Sequence, residues 1–300
     1  MKKLSLTILL ILSFTFTAFT QIKVIDIERI NLSNTTTAFQ AKFSPDGSSL
    51  FFTNINYDGI WKLSLKDKTP ILITNDKFSG FDYAIGDSTI TYRRSIYNGV
   101  NRYQEIIEVN LNNNKSSIIE TAEELSTPFL LSGKILYTKN RGKLNIEPPK
   151  TKDVKLLGIE NTKIIILKDG KKEIFDPITN GNYIWPSISP DGKLLLAYEM
   201  SKGTFICTLE GEIISFLGRK NSPCFTKDGK WVVYMNDKDD GYNIISSDIY
   251  CTSIDGKQNI QLTNDKNVIE LNPICSPTEN KIVFSSLEGD LYILTYEEMK

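Results

Sequence analysis

The chain has 300 residues, 40% of them hydrophobic and 24% charged, and a formal net charge of -1. Those proportions suit a soluble globular body and exclude the basic field on which nucleic-acid binding depends. Histidine is absent altogether, which excludes a Ser-His-Asp triad and any metal site built on imidazole.

Residues 1–20 read as an export signal. Lys2 and Lys3 precede an apolar run over residues 4–12, which Ser13, Thr15 and Thr17 then dilute, and Ala18 and Thr20 are small residues placed for cleavage before Gln21. The run is too short for a retained membrane span. The expected location is therefore periplasmic or secreted, with residues 21–300 forming one domain.

Residues 22–33 (IKVIDIERINLS) look like a strand that belongs to no unit ahead of it. The first full unit starts at Phe39, with strands expected over 40–43, 50–53, 60–65 and 70–74. Its first turn, Ser44-Pro45-Asp46-Gly47, has a mechanism: proline presets φ, aspartate bonds nearby backbone, and glycine accepts the left-handed conformation. The turn recurs as Ser189-Pro190-Asp191-Gly192, Thr226-Lys227-Asp228-Gly229 and Ser276-Pro277, each followed by an apolar run, and degenerate copies begin near Ala84 and Leu130. Six units result, and units too small to bury a face alone must stack into one body.

The second unit carries a polar loop holding Arg93, Arg94 and Arg102. In the third, residues 141–161 read as an insertion in which Pro148 and Pro149 rule out a central strand and support a loop or a small edge hairpin; the unit closes with two strands around Asp169-Gly170. The fourth, over 183–218, is compact, and the fifth, over 223–265, adds residues 236–247 between its second and third strands. The sixth supplies only three strands. Residues 28–33 can provide the missing one beside residues 290–296 and so close the ring without an exposed edge.

The Ser-Pro-Asp-Gly turn, the apolar strand after it and the Asp-Gly outer hairpin resemble the TolB-type (WD40-like) β-propeller repeat family from residue 22 to the C-terminus. The resemblance implies an all-β fold: a six-bladed β-propeller of four-stranded antiparallel sheets, its ring closed by an N-terminal strand. It also implies export and service as a protein-binding platform. Propellers with this repeat occur in serine peptidases and pectin-fragment lyases, but the sequence has neither a Gly-x-Ser-x-Gly elbow nor a histidine. The expectation is no enzyme and no cofactor.

Asp237, Asp239 and Asp240 ahead of Gly241 begin like a calcium loop, yet no glutamate stands where an EF-hand needs one, and no metal is expected. Cys207, Cys224, Cys251 and Cys275 read as buried thiols, with Cys251 to Cys275 the one pairing to check. A meander alternates its connections between two faces, which puts the tight turns on one side and every long loop on the other. Long loops on a rigid scaffold are where recognition concentrates. The candidate anchors there are Arg93, Arg94, Tyr97, Arg102 and Tyr103 from the second unit, Trp185 from the fourth and Tyr242 from the fifth. They point to an envelope or extracellular protein or peptide as partner; the alternative is a carbohydrate-binding or degenerate sugar-active propeller, for which Trp185, Tyr97, Tyr103 and Tyr242 would be stacking platforms.

Overall fold

The repeated turn explains how each unit starts. Ser189 Oγ donates to the Asp191 carboxylate at 2.7 Å and accepts the Leu194 N–H at 2.9 Å, while the Gly192 N–H closes on the Ser189 carbonyl at 2.8 Å. Gly192 takes φ +72°, open to glycine at little cost. Thr226 repeats the bond to Asp228 at 2.7 Å, and the outer turn at Ser253 and Asp255 reuses it at 2.6 Å. Ser44 does the same to Asp46. Donation by Ser44 and by Ser253 holds the Asp46 and Asp255 carboxyls down to about 2.

The computed structural model describes residues 21–32, 37–148 and 153–299, and there the protein is a ring of six blades. The expected signal at residues 1–20 lies outside the described residues. The ring opens with β1 (Gln21–Ile30). The first blade holds β2 (Phe39–Phe43), β3 (Ser49–Thr53), β4 (Ile60–Ser64) and β5 (Pro70–Thr74), and the second β6 (Tyr83–Ile85), β7 (Thr89–Asn98), β8 (Asn101–Asn110) and β9 (Ser116–Ala122). The third unit gives β10 (Phe129–Leu131), β11 (Lys134–Leu136), β12 (Lys155–Glu160), β13 (Lys163–Lys168) and β14 (Lys171–Phe175). The fourth blade is β15 (Tyr183–Ile188), β16 (Leu194–Glu199), β17 (Gly203–Thr208) and β18 (Ile213–Gly218). The fifth is β19 (Asn221–Phe225), β20 (Trp231–Asp239), β21 (Ile244–Ser253) and β22 (Asn259–Gln261). The sixth is β23 (Glu270–Cys275), β24 (Lys281–Ser286) and β25 (Leu291–Met299), with β1 as its outermost strand.

The core lies between blades, not within them. Phe51 of the first packs against Tyr83, Ile90 and Tyr92 of the second; Leu196 and Ile206 of the fourth meet Phe225 and Val232 of the fifth. Val233 of the fifth meets Leu271 and Ile282 of the sixth, whose Val283 and Ile293 cover Leu50 and Leu63 of the first. Each sheet is thus buried on two faces, which is why β3 reads SLFFT and is buried at every residue.

The ring closes on β25 as expected, but with an earlier stretch: of residues 28–33 only 28–30 belong to the closing strand, and residue 33 lies outside the described residues. β1 runs antiparallel to β25 with Glu28 opposite Ile293 and Ile30 opposite Leu291, and the pairing extends back to Gln21 opposite Met299 through a bulge between Val24 and Asp26. Ile22 and Ile30 are buried, whereas Ile25 and Ile27 face outward. Lys23–Glu297 and Arg29–Asp290 ion pairs, at 3.2 and 2.7 Å, border the seam.

The third blade departs from the four-stranded expectation. β10 and β11 form a two-stranded sheet, and β12, β13 and β14 a separate three-stranded one. The segment read as an insertion supplies β12, with Leu156 opposite Ile166 and a bulge at Gly158. Its apolar residues explain the strand: Leu157 joins Leu131, Leu136, Leu144, Ile146 and Leu167, and Leu156 packs toward Tyr183 of the next blade. Pro148 lies outside the strands, and Pro149 outside the described residues.

Candidate functional site on the loop face

One face of the ring is closed by the short turns, which touch their neighbours: Gly229 lies against Pro190, and Gly47 against Thr278. From the opposite face two hairpins stand out. β7 and β8 pair from Thr89–Asn110 out to Asn98–Asn101, and β20 and β21 from Trp231–Ser253 to Asp239–Ile244. β7 has 10 residues where β3 has 5, so at roughly 3.4 Å per residue its tip stands about 15 Å above the ring. The two arms are three blades apart.

Each arm is braced by an arginine. Arg94 reaches both Asp76, at 3.0 Å, and the buried Glu105, at 2.8 Å; Arg219 reaches Asp237 at 2.9 Å and Asp239 at 3.4 Å. Arg94 is therefore engaged within the fold. The acidic loop of the fifth blade is occupied too: Asn221 also donates to Asp237 at 2.6 Å, and Asp240 accepts the N–H groups of Tyr242 and Asn243. Among the described residues no group of three or more acidic or sulfur ligands is arranged to hold a metal.

Tyr97 and Tyr242 sit at the two arm tips, 70% and 95% exposed. Tyr103 is half-buried on β8 opposite Ile96. Trp185 is on the innermost strand of the fourth blade at a bulge, with φ +51°, its ring edge-on to Tyr198 at 5.7 Å between centroids. That bulge recurs in sequence as well as in space. Gln40, Trp185, Ser222 and Asn272 all have positive φ, and each is followed by Ala41, Pro186, Pro223 or Pro273 three residues before the Ser or Thr of the turn.

Arg93 and Arg102 share a cavity of about 660 Å³ between the second and third blades, with Glu124, Arg141, Glu160 and Lys172 on its walls. Arg93 donates to the Leu125 carbonyl, and burial pulls its pKa below the usual guanidinium range despite the nearby Asp82. The structure thus gathers two of the seven sequence-predicted anchors into one concavity and leaves Trp185 and Tyr242 apart. Beside the cavity lies an apolar patch that sequence reasoning missed: Ile55, Phe78 and Phe81 are 64%, 58% and 62% exposed, and Tyr57 meets Phe81 edge to face at 5.4 Å. Its one sequence signal is the pair of phenylalanines in Phe78-Ser79-Gly80-Phe81, within a connection between blades.

At the blade five to six junction Glu270 is buried, accepting from Thr263 Oγ1 and from the Ile249 N–H at 3.2 Å. Burial pushes its pKa up to about 7, aided by Asp248 and Asp265.

No family model and no curated protein matches the sequence. Among solved structures, TolB from Acinetobacter baumannii aligns at 18% identity over 78% of this chain with a TM-score of 0.52. The fold is that of a TolB-type β-propeller. The alignment spans 56% of that TolB. The β-propeller domain of Cps50 (Swd1) from Myceliophteria thermophila aligns at 11% identity, covering 89% of this chain and 99% of its own, with a TM-score of 0.58. An oligogalacturonate lyase in complex with manganese aligns at 14% identity over 86% of this chain and 77% of its own, with a TM-score of 0.46. At such identities the TolB-type likeness speaks for the fold alone. Among the described residues no helix is long and apolar enough to cross a membrane.

Proposed function

We propose that the protein is an exported, non-catalytic binding module whose loop face holds a protein or peptide. The observation that carries this reading is the asymmetry of the two faces. Two braced arms with exposed aromatic tips, an apolar patch and a cavity lie on one side and, among the described residues, short self-satisfied turns on the other. Rigid aromatic and arginine anchors around a concavity are what a binding hot spot needs. The export reading rests on residues 1–20, and the non-catalytic reading on the absent histidines and the missing nucleophile elbow.

The test is capture of a partner from envelope extract on the immobilised mature protein, with a glycan array run in parallel. Once a partner is in hand, its affinity for Tyr97→Ala, Arg102→Ala and Tyr242→Ala is compared with that for Lys193→Ala and Lys257→Ala, all five melting alike. A centred anchor lost to alanine costs about 2 kcal/mol, roughly thirtyfold in affinity. Loss confined to the two lysine variants would overturn the choice of face. Binding on the array without a protein partner would replace the peptide reading with a carbohydrate one.

A further inference from the structure

The 660 Å³ cavity is lined by more cationic than anionic side chains. Three carboxylates line it, and each is held by a cation: Asp82 by Lys42 at 3.0 Å, Glu124 by Arg141 at 2.9 Å and Glu160 by Lys172 at 2.6 Å. Two guanidiniums are left over. Arg93 is held by the Leu125 carbonyl, a neutral acceptor, and among the described residues nothing accepts a hydrogen bond from Arg102. Across the same space Arg93 feels the attraction of Asp82 and Glu124 and the repulsion of Arg102, without a hydrogen bond to either carboxylate. Phe81, Phe129, Leu144 and Leu157 form the apolar part of the wall. Two planar cations, neither hydrogen-bonded to a carboxylate and both beside an apolar wall, suit a carboxylate carried next to an aliphatic or aromatic side chain.

We propose that this cavity receives a peptide carboxylate, either a free C-terminus or an acidic side chain, with a neighbouring apolar residue on the leucine and phenylalanine wall. The inference rests on the loop face being the working face. Three synthetic probes test it by calorimetry and by the arginine side-chain NMR signals: acetyl-Gly-Ala-Leu as free acid, the same peptide as C-terminal amide, and acetyl-Gly-Glu-Leu-amide. At least one of the two acids should bind saturably and shift the Arg93 and Arg102 signals; the neutral amide should not. Arg102 is exposed, so Arg102→Ala should fold normally and weaken that binding at least tenfold. Preference for the first acid identifies a C-terminus, and preference for the second an internal acidic residue. Equal binding of the neutral amide, unchanged affinity in Arg102→Ala, or no saturable binding of either acid would overturn the proposal. A captured partner that still depends on Tyr242 but ignores Arg102 would remove the cavity while keeping the face.

A second inference stands on a different observation. Cys224 on β19 and Cys275 on β23 have their Sγ atoms 3.2 Å apart, across neighbouring blades and 51 residues apart in sequence. The pairing singled out from sequence, Cys251 with Cys275, is not the close one; Cys251 points into the blade five to six core. We infer that Cys224 and Cys275 form a disulfide when the protein meets a small-molecule disulfide. The incoming disulfide takes two electrons and two protons and leaves as two thiols, while the two Sγ atoms bond. Exposure to oxidised glutathione should lower the intact mass by about 2 Da, with one cross-linked peptide pair containing Cys224 and Cys275. Tm should rise relative to the reduced protein in wild type but not in Cys224→Ser. Persistence of both thiols, stable glutathione adducts, or a cross-link through Cys251 or Cys207 would overturn it.

Discussion

A single carboxyl sets one measurable property of the fold. Glu270 is buried and its pKa lies near 7, against 4.5 for an ordinary glutamate. Between those values the folded protein keeps a proton that the unfolded one has released, so this residue's contribution to stability falls as pH rises from about 4.5 to 7 and is level above that. Gln cannot ionise, yet its amide oxygen can accept from Thr263 and Ile249 as Glu270 does. Glu270→Gln should therefore gain stability over wild type as pH rises through that window, by up to ~3 kcal/mol above pH 7. Denaturant titrations at pH 4.5 and 8 measure this; an equal difference at both would show that Glu270 is not buried as its acid. Asp46 and Asp255 act with the opposite sign. Their folded values of about 2 lie below the ordinary 3.8, so their contribution is present above about pH 4 and is lost as pH falls toward 2.

Among the elements, β1 does work its position in sequence would not suggest. It fills the outer edge of the last blade and buries Ile22 and Ile30. At roughly 1.5–3 kcal/mol for each fully buried aliphatic side chain, those two contribute several kcal/mol. Removing the strand also bares the hydrogen-bonding edge of β25, a template for a second molecule. A variant starting at Thr35 should melt many degrees lower and associate with time. Calorimetry with light scattering checks both, and an unchanged Tm would mean that the ring does not depend on this closure. The strand was legible because three strands in the last unit left one place open. β12 was not, because its Leu156, Leu157 and Ile159 follow Pro148 and Pro149 in a stretch without the repeat turn, and prolines there masked a strand that only packing against Leu131 and Leu136 reveals.

For the whole molecule, the Ser-x-Asp-Gly turns were enough to read the ring, because each turn fixes a strand start by bonds between residues close in sequence. The candidate site was less legible. That Arg94 braces an arm depends on Asp76 and Glu105, neighbours that only folding brings together, and the Arg93 and Arg102 cavity depends on how the third blade divides. That division should also make the ring uneven in stability. β10 and β11 have three residues each and form a sheet of two, whereas β16 has six and lies inside a sheet of four with Leu195, Leu196 and Ala197 buried. Local opening is easiest where few hydrogen bonds and few buried apolar contacts hold the backbone. Hydrogen–deuterium exchange should therefore be fastest, among the inner strands, over 129–136, and slowest in β16, β20 and β24. A peptide seated against Arg93 of the second blade and Leu144 of the third ties the divided blade to its neighbour, so saturating the cavity with its bound acid peptide should slow exchange over 129–136 and leave β20 and β24 unchanged. Uniform protection around the free ring would show that the divided third blade is as firmly held as the other five.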